Sequence, residues 1–533
     1  MKNSSITTPR QYDIKFICLL FFGCFLRLFY IGNIPGNTAL YSDEIFSGYE
    51  AWSMLHYGYD YLGYHFPVYL PCWGSGMSVM QALCQMPFIG IFGLNSFALR
   101  LPAAILGCIT LYAFYYICKE IKDNNFAYFA TFILCIMPWH IMQSRWGLDC
   151  NYFAGFITIS IALFIKSTHN KKFLPLAFCF LGLTLYTYAL PWIVMPIFVL
   201  GVLVYFLMNR NIVIDKYLIL SVAILILLAF PLFLFLLVNY DVIPEIRTSV
   251  ISIPRLSKFR NDELITSVKS LLKNFYNSFL LFVSQNDGRV SDVTPLFGLY
   301  YKFSNPFILI GLVKCIIDIH EAFKKKVADF SFIIFLLFIC SVILSATTEI
   351  YFSRINIIHI PMTYFCAYGL WSIIDILKHH SKEIVIITYS LACIIFIIYY
   401  FTYHDDAVAE AYDDGCKQAL SYVSEITEPD SQAEVHLLSG VFFTHVIFYT
   451  EYPTDRFMQD VDYADFEVTG GNMIPRKFGK YDLTHYVEGA PLTDPVKGDI
   501  YICSHSDKES VKYLEKNNMN IKHFSTIVVG VAE

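Results

Sequence analysis

Tyr41-Ser42-Asp43-Glu44-Ile45-Phe46 sets two adjacent carboxylates just beyond the first apolar run and opens a long aromatic loop. A charge held inside lipid costs about 2.5 kcal/mol or more, so an acidic pair at the mouth of a span calls for a reading of its own. One reading is a solvated loop of the kind that often flanks a membrane. The other is chemistry on an amphiphilic substrate, and the rest of the chain bears on the choice.

Of the 533 residues, 56% are hydrophobic and 15% charged, more apolar and less charged than soluble domains. That balance describes a polytopic membrane protein. The net charge of −6 is small and unevenly spread; no large basic patch points to nucleic acid. The fifteen cysteines fall mostly inside apolar runs with no pair at zinc-ligand spacing, so they read as small core residues. No small-residue cleavage site follows Tyr30-Ile31-Gly32-Asn33, and the first run reads as a retained span.

A spanning helix needs roughly 20 apolar residues. About eleven stretches approach this, near 14–31, 97–118, 126–143, 152–166, 172–189, 191–208, 217–238, 306–320, 330–346, 355–376 and 383–401. The run at 77–94, broken by Gln81, Gln85, Pro87, Gly90 and Gly93, decides the topology. If it stays in the interface, the N-terminus and the segments Lys119–Lys122, Lys166–Lys172, Arg210–Lys216, Lys324–Lys326 and Lys378–Lys382 share the cytoplasmic side, and all are basic. If it crosses, the triple lysine moves outside and Asp43 is parted from Arg145 and Asp149. The non-crossing reading is therefore adopted: a cytoplasmic N-terminus, an outer first loop over about 32–96, and a transmembrane domain over 1–401. From 402 the apolar runs shorten to strand length (Glu434–Leu438, Asp499–Cys503, Ser525–Val531) between helix-like stretches (Ala407–Ser424, Ser510–Lys516), which predicts a small extracytoplasmic α/β domain over 402–533.

On one face the outer loops gather Asp43, Glu44, His65, Arg145, Asp149, Asn286, Asp287, Arg289 and Arg354. The spans themselves carry almost no ionisable residue at mid-depth, whereas a coupled transporter usually needs such groups near the bilayer centre. Polar groups at the rim suit a reaction at the lipid–water boundary. Asp43 there is a candidate general base, and Arg145 and Arg354 are candidates to grip a phosphate through paired N–H donors. Plainer readings stand beside these. Arg145 reads equally as an interfacial anchor paired with Asp149, Arg354 as a snorkelling residue, His65 as an interfacial histidine, Asn286-Asp287-Gly288 as a turn, Arg27 as structural, and Tyr186, Tyr188 and Trp192 as belt aromatics.

Tyr41-Ser42-Asp43-Glu44, Gly48-Tyr49-Glu50-Ala51-Trp52-Ser53, Gly58-Tyr59-Asp60-Tyr61-Leu62-Gly63, the stretch Phe92–Pro102 and Pro138-Trp139-His140, in that order, resemble the membrane glycosyltransferases of the GT-C fold. The likeness is nearest to bacterial relatives of the protein O-mannosyltransferases and of the lipid A aminoarabinose transferase, and covers roughly residues 12–375. It implies inverting transfer of a sugar from a polyprenyl-phosphate carrier to an extracytoplasmic protein, lipid or glycan acceptor, with juxtamembrane helices in the first loop. It also implies Asp43 as the first-loop catalytic acid with Glu44 beside it, Asp149 as a second-loop acid, and Arg354 on the carrier phosphate. Asn286, Asp287 and Arg289 extend the candidate substrate contacts. Relatives often carry Lys-Pro-Pro where this chain has His65-Phe66-Pro67, so a phosphate contact from that loop falls to protonated His65. No cofactor and no metal are expected, since arginine alone can neutralise a monophosphate leaving group. A transporter or flippase of lipid-linked sugars is the alternative.

Overall fold

In the computed structural model, which describes residues 14–36, 39–209, 214–259, 267–427 and 433–533, a helix occupies each of the eleven apolar stretches. Lys2, Arg10, Arg210 and Arg260 lie outside the described residues. Among the described residues, five helices are long and apolar enough to cross a bilayer: Ser96–Ile121, Asp149–His169, Lys216–Asn239, Asn356–Leu377 (its first turn 3-10) and Ser381–Tyr400. Along Lys216–Asn239, Ile226, Leu227, Phe230 and Phe233 stay exposed, a surface that only an apolar medium covers without cost.

Two of the expected spans are interrupted. The stretch at 126–143 divides into Asn124–Ile136 and Pro138–Gln143. Pro138 supplies no N–H and holds Met137 extended, at ψ 127°. The carbonyls this leaves short of donors are met by the buried Arg27, whose guanidinium reaches Leu134 O at 3.2 Å and Cys135 O at 3.1 Å. Arg27 thus serves the backbone and His140. The second interruption follows Thr184, where the chain turns before a short 3-10 segment at Leu190–Ile193.

The first loop leaves and re-enters the helical layer at one end. Gly23 packs against Leu111 and Gly32 against Phe97, so Ile14–Leu28 and Ser96–Ile121 run antiparallel. The Ser96 hydroxyl donates to Gly32 O at 2.5 Å. Met80–Phe92 therefore adds no net crossing, and with Ser42–Tyr57 it forms the pair of helices expected in that loop.

A hairpin, Tyr69–Cys72 with Ser75–Ser78, lies between them in the chain. Its turn residues Trp73 and Gly74 both have positive φ, 50° and 85°, as a two-residue hairpin turn demands. The hairpin is tied to two other parts of the chain: Lys258 N donates to Gly74 O at 2.7 Å and Met473 N to Trp73 O at 3.0 Å.

Beyond the last long helix, a seven-stranded mixed sheet runs in the order Asn520–Phe524, Ile527–Val531, Ile500–Ser504, Val435–Leu437, Tyr481–Asp482, Pro475–Phe478, Asp462–Tyr463. The three middle strands are parallel and the rest antiparallel. The helix expected over 407–424 is split into Tyr403–Ala411 and Cys416–Ile426. Gly415, at φ 105° and pressed on the Phe524 carbonyl, makes the break. The sheet shares its core with the first loop: Tyr49 donates its hydroxyl to Tyr452 O at 2.6 Å, and Ser53 and Thr454 hydroxyls meet at 2.8 Å.

One buried ion pair joins these parts. Arg100 meets Glu44 side-on, Nε to Oε1 and Nη2 to Oε2, both at 3.0 Å, with both side chains fully buried. The remaining guanidinium donors go to Pro35 O and Ala39 O, and Glu44 also accepts from Gly147 N at 2.7 Å and Tyr41 N at 3.3 Å. Breaking a buried pair by removing one partner costs about 3–5 kcal/mol. Glu44→Ala is expected to lower the unfolding temperature of the detergent-solubilised protein by that measure, and Glu44→Ala combined with Arg100→Met to recover part of the loss. Equal unfolding temperatures for wild type and Glu44→Ala would show that the pair holds nothing.

Candidate active site

Asp43 lies in the first turn of Ser42–Tyr57, and Asp149 is the first residue of Asp149–His169. The positive end of a helix dipole favours an ionised carboxylate at such positions. Both acids line one cavity of about 310 Å³, together with Arg289, Asp292, Ser353 and Arg354 from two later loops and Trp73, Gly76 and Met77 from the hairpin. Asp149 Oδ2 accepts from Ser78 N at 3.4 Å, and its Oδ1 from Cys150 N at 2.6 Å.

The arginines are brought in by a staple between two loops. Asp287 accepts from Arg289 N at 3.1 Å and from Phe352 N at 3.0 Å. Asp292 accepts from Ser353 N at 3.1 Å and from the Ser291 hydroxyl at 3.1 Å. Between these bonds the Arg289 guanidinium lies over the Tyr351 ring, 3.4 Å from its centroid. Segments 287–292 and 351–354 are thus held together, and both of their arginines reach the cavity. Arg354 keeps one loose ion pair, 3.6 Å from the exposed Glu349. Burial, reinforced by the neighbouring Asp287, pushes the Asp292 carboxyl up to about 7.

A second chamber of about 370 Å³ opens from the first, sharing Gly76, Asp149, Tyr188 and Arg354. Apart from Ser75 and Thr348, its other walls are apolar or aromatic, Trp192, Phe235, Tyr240, Leu256 and Phe259 among them. The combined site is amphiphilic, with carboxylates and guanidiniums at one end and an aromatic groove at the other.

Of the residues singled out in the sequence, the cavity brings together Asp43, Asp149, Arg289 and Arg354. Asp287 and Asn286 border a neighbouring cleft, where Asn286 Oδ1 caps Gly288 N at 3.0 Å and makes the turn its sequence announces. The other three stand elsewhere. Glu44 is turned inward to Arg100. Arg145 is buried and donates to Leu26 O, Arg27 O and Ile34 O at 3.0 to 3.3 Å, clamping the end of the first helix. It neither lines the cavity nor has an ion pair with Asp149 among the described residues; the arginines that line the cavity are Arg289 and Arg354. His65 has its Nδ1 3.0 Å from Gly58 O and packs edge-on against Tyr59.

Asp292 and the groove aromatics escaped the sequence reading. Asp292 lies three residues beyond Arg289, the point where that reading stopped. Tyr188 and Trp192, four apart, line the groove where belt aromatics were expected.

With that geometry in hand, comparison with known proteins is informative. Residues 78–235, under half of the chain, match the family model described as dolichyl-phosphate-mannose-protein mannosyltransferase. Among solved structures, ArnT from Cupriavidus metallidurans is similar both in the apo state and bound to undecaprenyl phosphate. Each has a TM-score of 0.54 at 12% identity, over 97% of this chain and 96% or 97% of that one. The archaeal oligosaccharyltransferase AglB from Archaeoglobus fulgidus, in complex with an inhibitory peptide and a dolichol-phosphate, is similar at a TM-score of 0.49 and 12% identity, over 94% of this chain and 70% of that one. No curated protein matches. The resemblance to GT-C membrane glycosyltransferases read from the first loop is met in the fold and in the matched segment, which is that of an enzyme family.

Asp292 supplies a test by pH. A carboxyl raised from its ordinary 3.8 to about 7 in the fold holds its proton where the unfolded chain has lost it. Its contribution therefore falls as pH rises from about 4 to 7 and stays lost above. Asp292→Asn is expected to flatten the decline of unfolding temperature between pH 5 and pH 8 relative to wild type. Parallel curves would contradict the shift.

Proposed function

We propose that the chain is a multi-pass membrane glycosyltransferase that moves a sugar from a polyprenyl-phosphate carrier to an acceptor outside the cytoplasm, inverting the anomeric centre. The observation that carries this reading is the wall common to the two chambers, where Arg354 and Asp149 stand between the carboxylates and the aromatic groove. A donor with a sugar, a phosphate and a prenyl chain has the same sequence of chemistries. ArnT, of the same fold, has been solved bound to undecaprenyl phosphate.

In this reading the prenyl chain lies along Trp192 and Phe235, the phosphate sits at Arg354 and Arg289, and the sugar occupies the polar chamber. Asp43 accepts the proton of the acceptor O–H or N–H as the freed lone pair attacks the anomeric carbon. The bond from that carbon to the phosphate oxygen breaks, and the electron pair leaves on the carrier monophosphate, whose charge the arginines stabilise. One base and no covalent sugar on the enzyme give inversion, by analogy with glycosidases. Glu44 acts through structure, holding the Asp43 turn in place, and His65 and Arg145 have no part in the chemistry. The basic short loops put the N-terminus in the cytoplasm and residues 402–533 outside, as a domain that closes over the first loop.

Incubation of the purified protein with a polyprenyl-phosphate sugar separates transfer from transport, because only transfer releases free carrier phosphate. Asp43→Asn is expected to lower turnover by at least about 10²-fold, the scale of a lost general base, with an unchanged unfolding temperature. Arg354→Ala is expected to raise KM and lower kcat together. Retained turnover in Asp43→Asn, or wild-type protein that moves the lipid-linked sugar without releasing carrier phosphate, would overturn the proposal.

A further inference from the structure

Away from the cavity, a second cluster of titratable side chains lies on one face of the C-terminal sheet. Alternation along a strand puts Glu434 and His436 on the same face, as it does Asp499 and Tyr501. In register, His436 stands beside Asp482 on one neighbouring strand and beside Tyr501 on the other. The imidazole stacks on the Tyr501 ring at 4.6 Å.

Each aspartate is held by one oxygen and presents the other. Asp482 Oδ1 accepts from Thr484 N at 2.8 Å, leaving Oδ2 3.5 Å from His436 Nδ1. Asp499 Oδ1 accepts from Glu434 N at 3.0 Å, leaving Oδ2 3.3 Å from His436 Nε2. The donor atoms of Glu434, His436 and Asp482 all lie within 4.8 Å of one another, on half-exposed side chains open to the bulk.

We propose that Glu434, His436 and Asp482 bind a divalent transition-metal cation such as Zn²⁺, with Asp499 orienting the imidazole. A metal-bound histidine uses one ring nitrogen and almost always donates the other N–H to a carboxylate or carbonyl. That division is built here: Nδ1 faces the Asp482 side, and Nε2–H has Asp499 as its acceptor. Donors about 2.1 Å from a tetrahedral centre stand roughly 3.4 Å apart, close to the 3.5 Å between His436 Nδ1 and Asp482 Oδ2. One imidazole and two carboxylates suit zinc or manganese and leave a fourth position for water or an anionic ligand. Lys477, 2.5 Å from Glu434 Oε1, holds that carboxylate in place. The ion would clip Val435–Leu437 to Tyr481–Asp482, a pairing with two Cα partners in register. The site is separate from the transfer chemistry, in which no metal is invoked.

The test uses the full-length protein in detergent, stripped with chelator and titrated with Co²⁺ and then Zn²⁺. The expected result is one equivalent of Co²⁺ with a ligand-field spectrum free of thiolate charge transfer, displaced by Zn²⁺, and a metal-dependent rise in unfolding temperature. His436→Ala and Asp482→Asn lose the equivalent, while Asp499→Asn keeps it with affinity lowered about 10–100-fold. Asp482→Asn preserves shape, and its unfolding temperature in chelator shows that the variant folds. Absence of binding by wild type, thiolate bands in its Co²⁺ spectrum, or undiminished binding by both His436→Ala and Asp482→Asn would each overturn the assignment.

Discussion

The side-on pair between Glu44 and Arg100 is the constraint on which the site depends. Taking two charges out of water is costly, and the cost is offset only where geometry is good and the remaining hydrogen-bonding atoms are satisfied. Here Arg100 also reaches Pro35 O and Ala39 O, and Glu44 accepts from Gly147 N and Tyr41 N. Those contacts fix the start of the first-loop helix against the Ser96–Ile121 helix and against the turn that leads into Asp149. Asp43 and Asp149, far apart in sequence, are therefore positioned by a side chain that does not itself line the cavity.

Around that anchor the molecule assembles a boundary. The staple of Asp287 to Phe352 and Asp292 to Ser353 presents two arginines from one side, and the first loop presents two acids from the other. The aromatic groove begins at the shared wall and runs along the end of Lys216–Asn239, the least buried of the five candidate spans among the described residues. The hairpin at 69–78, tied to Gly74 and Trp73 partners in the second outer loop and the C-terminal part, closes the remaining side.

Hydropathy made the helices legible, because burial in lipid or core leaves a direct mark on composition; all eleven stretches are helical. Their ends were less so, since Pro138 and Gly415 act through local backbone geometry within otherwise continuous patterns. Three of the C-terminal strands were anticipated, whereas Asp462–Tyr463, Pro475–Phe478, Tyr481–Asp482 and Asn520–Phe524 are short or polar and give no alternating apolar signal. In the site, Asp43 was legible from its place at a span's mouth, but Glu44 was not. Adjacent helical residues point about 100° apart, so one faces the cavity and the other the core. Arg145 misled for a related reason: a loop arginine bound to carbonyls has the same sequence signature as one facing a phosphate. Arg289 and Arg354 gain their shared role from a staple whose halves are some 60 residues apart.

The central claim is that one molecule of lipid phosphate spans both chambers. The most direct measurement is a structure of the purified protein determined with a polyprenyl phosphate. The account predicts the phosphate within hydrogen-bonding distance of Arg354 and the prenyl chain along Trp192 and Phe235. A phosphate bound at another face, with the aromatic groove left vacant, would contradict it.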